Sequence, residues 1–384
     1  MTAGVYLHIP FCKSRCSYCD FATDVYRDQA AVEQYIDALI TEIGVFHPVP
    51  GVRPFRNGTE QKLGIDTIYF GGGTPSLLSS QQVEQILNAI DLKFEISNDA
   101  EITMEMNPAT VTPEKLTDYR KLGISRASFG VQTFDDRALK LLARGHDAND
   151  ARVTFEMLRE AGFDNISFDL IAGLPGQTLH DWQRNLDEAV AMRPEHLSLY
   201  LLEIHQGTPL ARQVRERRQP KPDEALAAEM YELMLDQLDA AGYKQYEISN
   251  FSRPGFESRH NTKYWRLEPV FGFGVSAHSF DGRQRYANER DTARYVEMIE
   301  NATSAEVMRE DIDLASEFAF LGLRMEEGIE IDDYARRFGA DLMADYGSGL
   351  RDLNEAGLIK TENGNLRLTR TGKLFSNEVF AVFV

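Results

Sequence analysis

Residues 5–19 read Val5-Tyr-Leu-His-Ile-Pro-Phe-Cys12-Lys-Ser-Arg-Cys16-Ser-Tyr-Cys19, an apolar run broken by proline and followed at once by a cysteine loop. Val5 to Ile9 has the composition of a buried strand. The C-x3-C-x2-C loop contains all three cysteines of the 384-residue chain, and an odd number packed so closely cannot be a disulfide framework. They call for a metal. Three thiolates on one short loop can hold three irons of a 4Fe-4S cube and leave the fourth open to a small ligand. The alternative is a structural zinc site completed by His8 or another histidine, but such sites prefer C-x2-C pairs and four protein ligands.

Working outward, similar apolar stretches recur at Ile65 to Phe70, Glu101 to Glu105, Arg126 to Phe129, Asn165 to Leu170 and His196 to Leu201. Helical patterns lie between them, near Asp28 to Phe46, Ser80 to Ile90, Pro113 to Leu122, Ala148 to Ala161 and Thr178 to Met192. Thr112 before Pro113 and Glu114 marks one helix start. Alternating strands and helices predict an α/β fold with a parallel sheet, a TIM-like barrel or part of one. After about Gly207 the pattern changes to a long helix, Asp223 to Ala241, and then to a Gly- and aromatic-rich region through Phe280. Helices at Asp313 to Glu326 and Gly347 to Ala356 precede a hairpin turning at Asn363-Gly364, which resembles a winged helix. The boundaries expected are 1–206 for the barrel core, 207–300 for a connecting region and 301–384 for the C-terminal winged-helix-like domain.

Composition narrows the function. With 43% hydrophobic and 26% charged residues the chain reads as a folded soluble protein. No apolar run approaches a bilayer span, and the first residues lack a secretory signal, so a cytoplasmic location is expected. A net charge of −19 repels phosphate backbones and argues against nucleic-acid binding. One local exception, Arg212, Arg215, Arg217, Arg218 and Lys221, reads as a solvated helix end or linker and is given no function.

Ligands of such barrels collect at the carboxyl ends of the strands. Gly71-Gly72-Gly73-Thr74-Pro75 follows the second strand and bares backbone N–H groups. Glu105, in Glu105-Met-Asn-Pro108, can accept hydrogen bonds from hydroxyls or an ammonium group. Gln132 follows the fourth strand and Asp169 ends the fifth, while Arg144 offers a fork for a carboxylate. Singly these are caps and turns; together they mark a site.

These motifs resemble those of the radical S-adenosylmethionine (SAM) enzymes, and within them the oxygen-independent coproporphyrinogen III oxidase family, over essentially the whole chain. The resemblance implies a partial (β/α)6 barrel, a 4Fe-4S cluster on Cys12, Cys16 and Cys19, and SAM bound to the open iron. It implies SAM contacts from Tyr6, Tyr18, Gly72, Gly73, Thr74, Glu105, Gln132, Arg144 and Asp169, and a one-electron donor such as a flavodoxin.

Two departures separate the chain from the oxidases, which resemble C-x3-C-x2-C-x-C and carry an extension before the first strand. Here the position two after Cys19 is Phe21, and the chain begins almost directly at Tyr6. Both features are similar to the HemW branch, whose members are regarded as heme chaperones. So is His260-Asn-Thr-Lys-Tyr264-Trp265, similar to that branch's H-N-x-x-Y-W motif. An imidazole can ligate heme iron and aromatic rings can pack on porphyrin. The expectation is heme as cargo, His260 as its ligand with His278 as a weaker candidate, and transfer to an acceptor apoprotein. No catalytic residue is assigned, and oxidative decarboxylation of coproporphyrinogen III is the alternative.

Overall fold

A computed structural model describes residues 2–25, 28–47, 62–302 and 304–383. Its centre is a run of parallel strands: β1 (Ala3–Ile9), β4 (Leu63–Gly72), β5 (Phe94–Met106), β6 (Arg126–Gln132), β7 (Ile166–Ala172) and β8 (His196–Leu201). Between β1 and β4, β2 (Phe11–Cys12) and β3 (Asp24–Val25) form a two-residue ladder that brackets the cysteine loop. The six parallel strands lie side by side in chain order, the expected (β/α)6 arrangement. Crossover helices Gln29–Val45, Ser80–Lys93, Pro113–Lys121, Ala148–Glu160 and Leu179–Met192 cover the outside. Several start where their sequences dictate. Thr112 caps Lys115 N at 3.3 Å with Pro113 in the first turn, and Ser79, Asp147 and Thr178 each head a capping box.

The sheet does not stop at six strands. Beyond β8 come β9 (Lys244–Glu247) and β10 (Asn250–Ser252), and beyond β1 come β11 (Val270–Phe273), β12 (His278–Phe280), β13 (Gln284–Asn288) and β14 (Glu306–Asp311). β11 runs parallel to β1, pairing Tyr6 with Gly272 and Leu7 with Phe273, and the remaining additions are antiparallel. The Gly- and aromatic-rich region therefore adds strands to the sheet on either side of a short helix, Arg259–Trp265. Its strands are too short and too glycine-interrupted to show a period of two. β5 also begins seven residues before the expected Glu101, because Phe94 to Ile96 pair with Leu63 to Ile65 despite the polar Ser97 to Asp99 that follows.

The C-terminal region forms a second core around Leu323, Tyr334, Leu342, Leu350, Ile359 and Leu366. Its sheet orders β15 (Ile329–Glu330), β17 (Asn365–Leu368) and β16 (Ile359–Glu362), with Asn363 and Gly364 at φ 52° and 81° making the hairpin turn. The expected helix from Asp313 spans Leu314–Gly322, shorter than the pattern suggested, because the chain then bridges to β9 through Met325 and Glu247. Helix Ile331–Phe338 precedes the wing and was not expected from the sequence. Among the described residues no helix is long and apolar enough to cross a membrane.

One contact fixes the mouth of the barrel. The Gly73 amide donates to Ile9 O at 2.8 Å, and a Cβ on Gly73 would lie 2.7 and 2.8 Å from the carbonyl oxygens of Pro10 and Phe11. Those atoms are backbone and cannot swing aside. Gly73→Ala is therefore expected to cost about 1–3 kcal/mol of unfolding free energy. Gly44→Ala, in a helix and with nothing within 4 Å, is expected to gain about 0.5–1 kcal/mol. Urea denaturation of the two variants side by side checks both signs.

Candidate functional site at the carboxyl ends of the strands

Strand register places the predicted residues before any side chain is considered. Tyr6 pairs with Tyr69, Glu105 with Ser128, Gly130 with Asp169, and Asp169 with Ser198, so their side chains share the inner face of the barrel. The inner face is polar and the outer face apolar, with Ile68, Phe70, Met104, Phe129 and Phe168 fully buried beneath the helices.

Above this lumen lies the cysteine loop. Cys12, Cys16 and Cys19 are free thiols and partly exposed. Burial pushes Cys12 up to about 11 and also raises Cys19, so at these two thiols the thiolate form is favoured by a bound metal rather than by the protein. The loop is held from several sides. Thr74 donates its hydroxyl to Cys12 Sγ at 3.6 Å, Ser17 N donates to Leu142 O at 2.9 Å, and His8 Nε2 meets Ala22 O at 2.8 Å. His8 Nδ1 meets the Tyr6 hydroxyl at 3.1 Å, so both its ring nitrogens are engaged in holding strand to loop.

Arg144 ties the loop to the strands. Its Nη1 donates to Cys16 Sγ at 3.4 Å and to the Tyr18 hydroxyl at 3.5 Å, and its Nη2 to Asn107 Oδ1 at 2.5 Å and Gly130 O at 2.8 Å. Asn107 Nδ2 in turn donates to Thr74 Oγ1 at 2.7 Å, closing a ring of contacts. Gly130 makes room for this: a Cβ there would lie 2.4 Å from Gln132 Nε2 and 3.1 Å from Arg144 Nη2. Gln132 itself sits in the left-handed region at φ 67°, a strained end to β6 that turns its buried side chain over Gly130.

Below the loop, Glu105 accepts from the Tyr69 hydroxyl at 2.8 Å and from Gly72 N at 3.2 Å. Burial, with a smaller contribution from Asp169, raises its carboxyl to about 7. Burial likewise raises Asp169, partly offset by the Ser198 hydroxyl, Arg126 and Arg144. A carboxylate poised this way gains when a ligand brings a positive charge or hydroxyl donors.

His260 lies apart from the loop. Helix Arg259–Trp265 packs beneath the lumen, and His260 is 1% exposed. Its Nδ1 meets Thr67 Oγ1 at 2.9 Å and its Nε2 the Tyr264 hydroxyl at 3.2 Å. The ring stacks on Tyr69 at 5.0 Å and, more distantly, on Tyr6 at 6.4 Å. Trp265 lies under Arg324 of the C-terminal region, whose guanidinium carbon is 4.2 Å from the ring centre. His278, by contrast, is exposed, at the start of β12.

The structure therefore gathers Cys12, Cys16, Cys19, Tyr18, Thr74, Arg144, Gly72, Gly73, Glu105, Gln132, Asp169 and Tyr6 at one mouth and leaves His260 on the opposite side of the tyrosine stack. The sequence reading missed Asn107 and Tyr69. Both were within reach: Asn107 is two residues after Glu105 in the quoted motif, just past the end of β5, and Tyr69 immediately precedes Phe70 and the glycines.

Whether this mouth fits a cluster is tested by its donors. Three free thiols lie on eight residues, and the buried Nε of Arg144 beside them has no hydrogen-bond partner among the described residues. No three His, Cys, Asp or Glu side chains among the described residues converge on one point as a single ion requires, and thiolates on separate irons need not converge. The residues fit the group.

Residues 6–189 match the model of the Radical SAM superfamily, and residues 310–375 that of the HemN C-terminal domain. The chain is 37% identical to the heme chaperone HemW of Bacillus subtilis (strain 168), with 99% of each covered. It is 33% identical to the mitochondrial radical S-adenosyl methionine domain-containing protein 1 of Bos taurus, over 96% of this chain and 84% of that one. The structure of coproporphyrinogen III oxidase (HemN) from Escherichia coli superposes with a TM-score of 0.83 over all of this chain and 90% of that one, at 23% identity, which establishes a common fold. Similar in sequence to these relatives from end to end and matched by both family models, the chain belongs to the radical SAM superfamily and, within it, to the family of the HemW proteins.

Proposed function

We propose that this protein is a heme chaperone that carries a 4Fe-4S cluster with SAM on its open iron, binds heme and passes it to an acceptor apoprotein. The observation that carries the reading is end-to-end similarity to proteins named heme chaperone HemW, joined to Phe21, two-thirds exposed, two residues after Cys19. Cys12, Cys16 and Cys19 would hold the cluster, which supplies one-electron reducing power from an external donor and a coordination position for SAM. Arg144 offsets thiolate charge beside Cys16 and holds Tyr18 in place. Glu105, with Gly72, Gly73 and Thr74 at its side, accepts hydrogen bonds from SAM, and Gln132 and Asp169 close the far wall.

His260 as the iron ligand requires that Tyr264 or Thr67 give up its hydrogen bond to the ring, whereas His278 offers its ring to solvent as it stands. An anaerobic hemin titration of cluster-reconstituted protein, followed at the Soret band, compares them. Saturable one-to-one binding is expected, weakened roughly tenfold by whichever of His260→Ala and His278→Ala removes the ligand. Absence of hemin binding overturns the proposal. Displacement of hemin by coproporphyrinogen III overturns it in favour of decarboxylation of that porphyrinogen's propionates. Cys16→Ala is expected to lose most of its iron and sulfide on reconstitution; full retention would remove Cys16 from the ligand set.

Burial, reinforced by Lys263, depresses His260 to about 3, which keeps the ring neutral at neutral pH. The depressed value also has a stability consequence. Between about 3 and 6.5 the unfolded chain binds a proton that the folded one does not, so stability is present above 6.5 and lost as the pH falls. His260→Gln cannot bind that proton. Its stability relative to the parent should improve by about 2 kcal/mol from pH 7 to pH 5. Urea midpoints at the two pH values read this directly.

A further inference from the structure

The basic segment that the sequence reading left without a function is tied to the cysteine loop. Past β8 the chain enters the short helix Pro209–Arg215, and Leu210 N donates to the carbonyl of Ser17, between Cys16 and Tyr18, at 2.8 Å. Tyr18 and Leu202 pack on one small apolar cluster with Leu142, Ile171 and Leu174. The segment thus lies at the mouth of the barrel, against the loop of the candidate site.

It encloses a cavity of about 350 Å³ whose wall includes Thr208, Arg212, Gln213, Arg215 and Arg218. The turn that builds the wall is specific. Arg217 takes a left-handed conformation at φ 57°, and Arg218 N returns to Gln213 O at 2.8 Å, which sets Arg218 beside Arg212 and Arg215. Arg212 and Arg218 share Glu216, at 2.9 and 2.5 Å, while Arg215 has no ion pair among the described residues. Three guanidinium groups against one carboxylate leave two positive charges, on a chain whose net charge is −19. A charge excess held around a concavity, against the charge of the whole protein, is a site for an anion.

We propose that this cavity binds the two propionate carboxylates of the porphyrin, an inference that rests on the heme-binding reading above with an iron ligand other than His260, which lies beneath the tyrosine stack. Guanidinium forks match carboxylates two bonds at a time, and two propionates match the two uncompensated charges. Two exposed aromatics flank the tethered elements in the chain, Tyr200 near the end of β8, which leads into the helix, and Phe21 two residues after Cys19, and an apolar macrocycle can pack against such rings. The arginines are exposed, so the attraction is screened by salt.

The test is a Soret titration of the reconstituted protein and its Arg215→Gln/Arg218→Gln variant with hemin and with hemin dimethyl ester, at low and high salt. Both arginines are surface residues outside the cluster and SAM contacts. The expected result is hemin binding roughly 5- to 20-fold weaker in the variant at low salt, with the difference shrinking at high salt. The ester should bind the parent as weakly as hemin binds the variant, and should be indifferent to the substitutions. Equal binding of hemin and ester by the parent, or unchanged hemin binding by the variant, overturns the propionate site while heme binding stands. Pyrophosphate binding that is lost in the variant but leaves hemin binding untouched overturns it in favour of a phosphate site. A blank hemin titration for parent and variant alike overturns the underlying heme reading instead.

Discussion

The guanidinium of Arg144 reaches four things at once: a thiol of the cysteine loop, the Tyr18 hydroxyl, the Asn107 amide and the backbone of β6 at Gly130. No one of these contacts is strong alone. Their value is that they are spread over more than a hundred residues of chain, from Cys16 to Gly130, and converge on a planar, permanently charged group with fixed donor directions. Take that group away and the cysteine loop keeps its anchors through Thr74, His8 and Ser17 but loses the bond that Arg144 makes for it to the backbone of β6. The glycine at 130 and the strained Gln132 have a local cost, and both follow from the need to pass two side chains over that point.

The parts of the fold legible in the sequence are those where one physical signal repeats. The six parallel strands and the helices between them announce themselves because strands packed beneath helices carry apolar, β-branched and aromatic residues on the outer face and crossover helices must be amphipathic. The caps at Thr112 and the turn at Asn363-Gly364 were readable because single residues determine them. What stayed hidden was structure determined by partners. β11 to β14 are short strands that owe their existence to β1 and to one another, and Gly272 and Gly274 blur any alternation. The wing-preceding helix Ile331–Phe338 is similarly short, and its core comes from the second hydrophobic cluster around it.

The site divides the same way. The cysteine loop was specific on spacing alone, and the strand-end rule found Glu105, Gln132, Arg144 and Asp169 because a parallel barrel collects chemistry at one rim. Asn107 and Tyr69 escaped because an amide and a phenol inside strand motifs look structural until their partners are seen. Arg126 escaped for a related reason. It is 1% exposed in the lumen, and its charge lowers the neighbouring carboxyls while helping keep His196 and His260 neutral. In sequence it reads as the polar start of a strand.

The H-N-x-x-Y-W segment is where motif and geometry make different demands on the same residues. Ligation of heme iron needs an accessible nitrogen, yet the segment is built into the protein through nearly every polar group. His260 is bonded to Thr67 and Tyr264; Lys263, 4% exposed, pairs with Asp66 at 2.8 Å and Glu268 at 3.0 Å; and Trp265 takes Arg324 on its face. Arg324 also reaches the buried Glu247 at 3.4 Å, so the helix joins the barrel floor to the C-terminal domain. A ligand that displaced Tyr264 from His260 would therefore be felt at both ends. It would loosen the tyrosine stack that supports Glu105 through Tyr69, and it would disturb the Trp265–Arg324 contact. The helix thus touches the tyrosine stack through His260, the Glu105 carboxyl by way of Tyr69, and the C-terminal domain through Trp265 and Arg324, so a change at any one of the three bears on the other two.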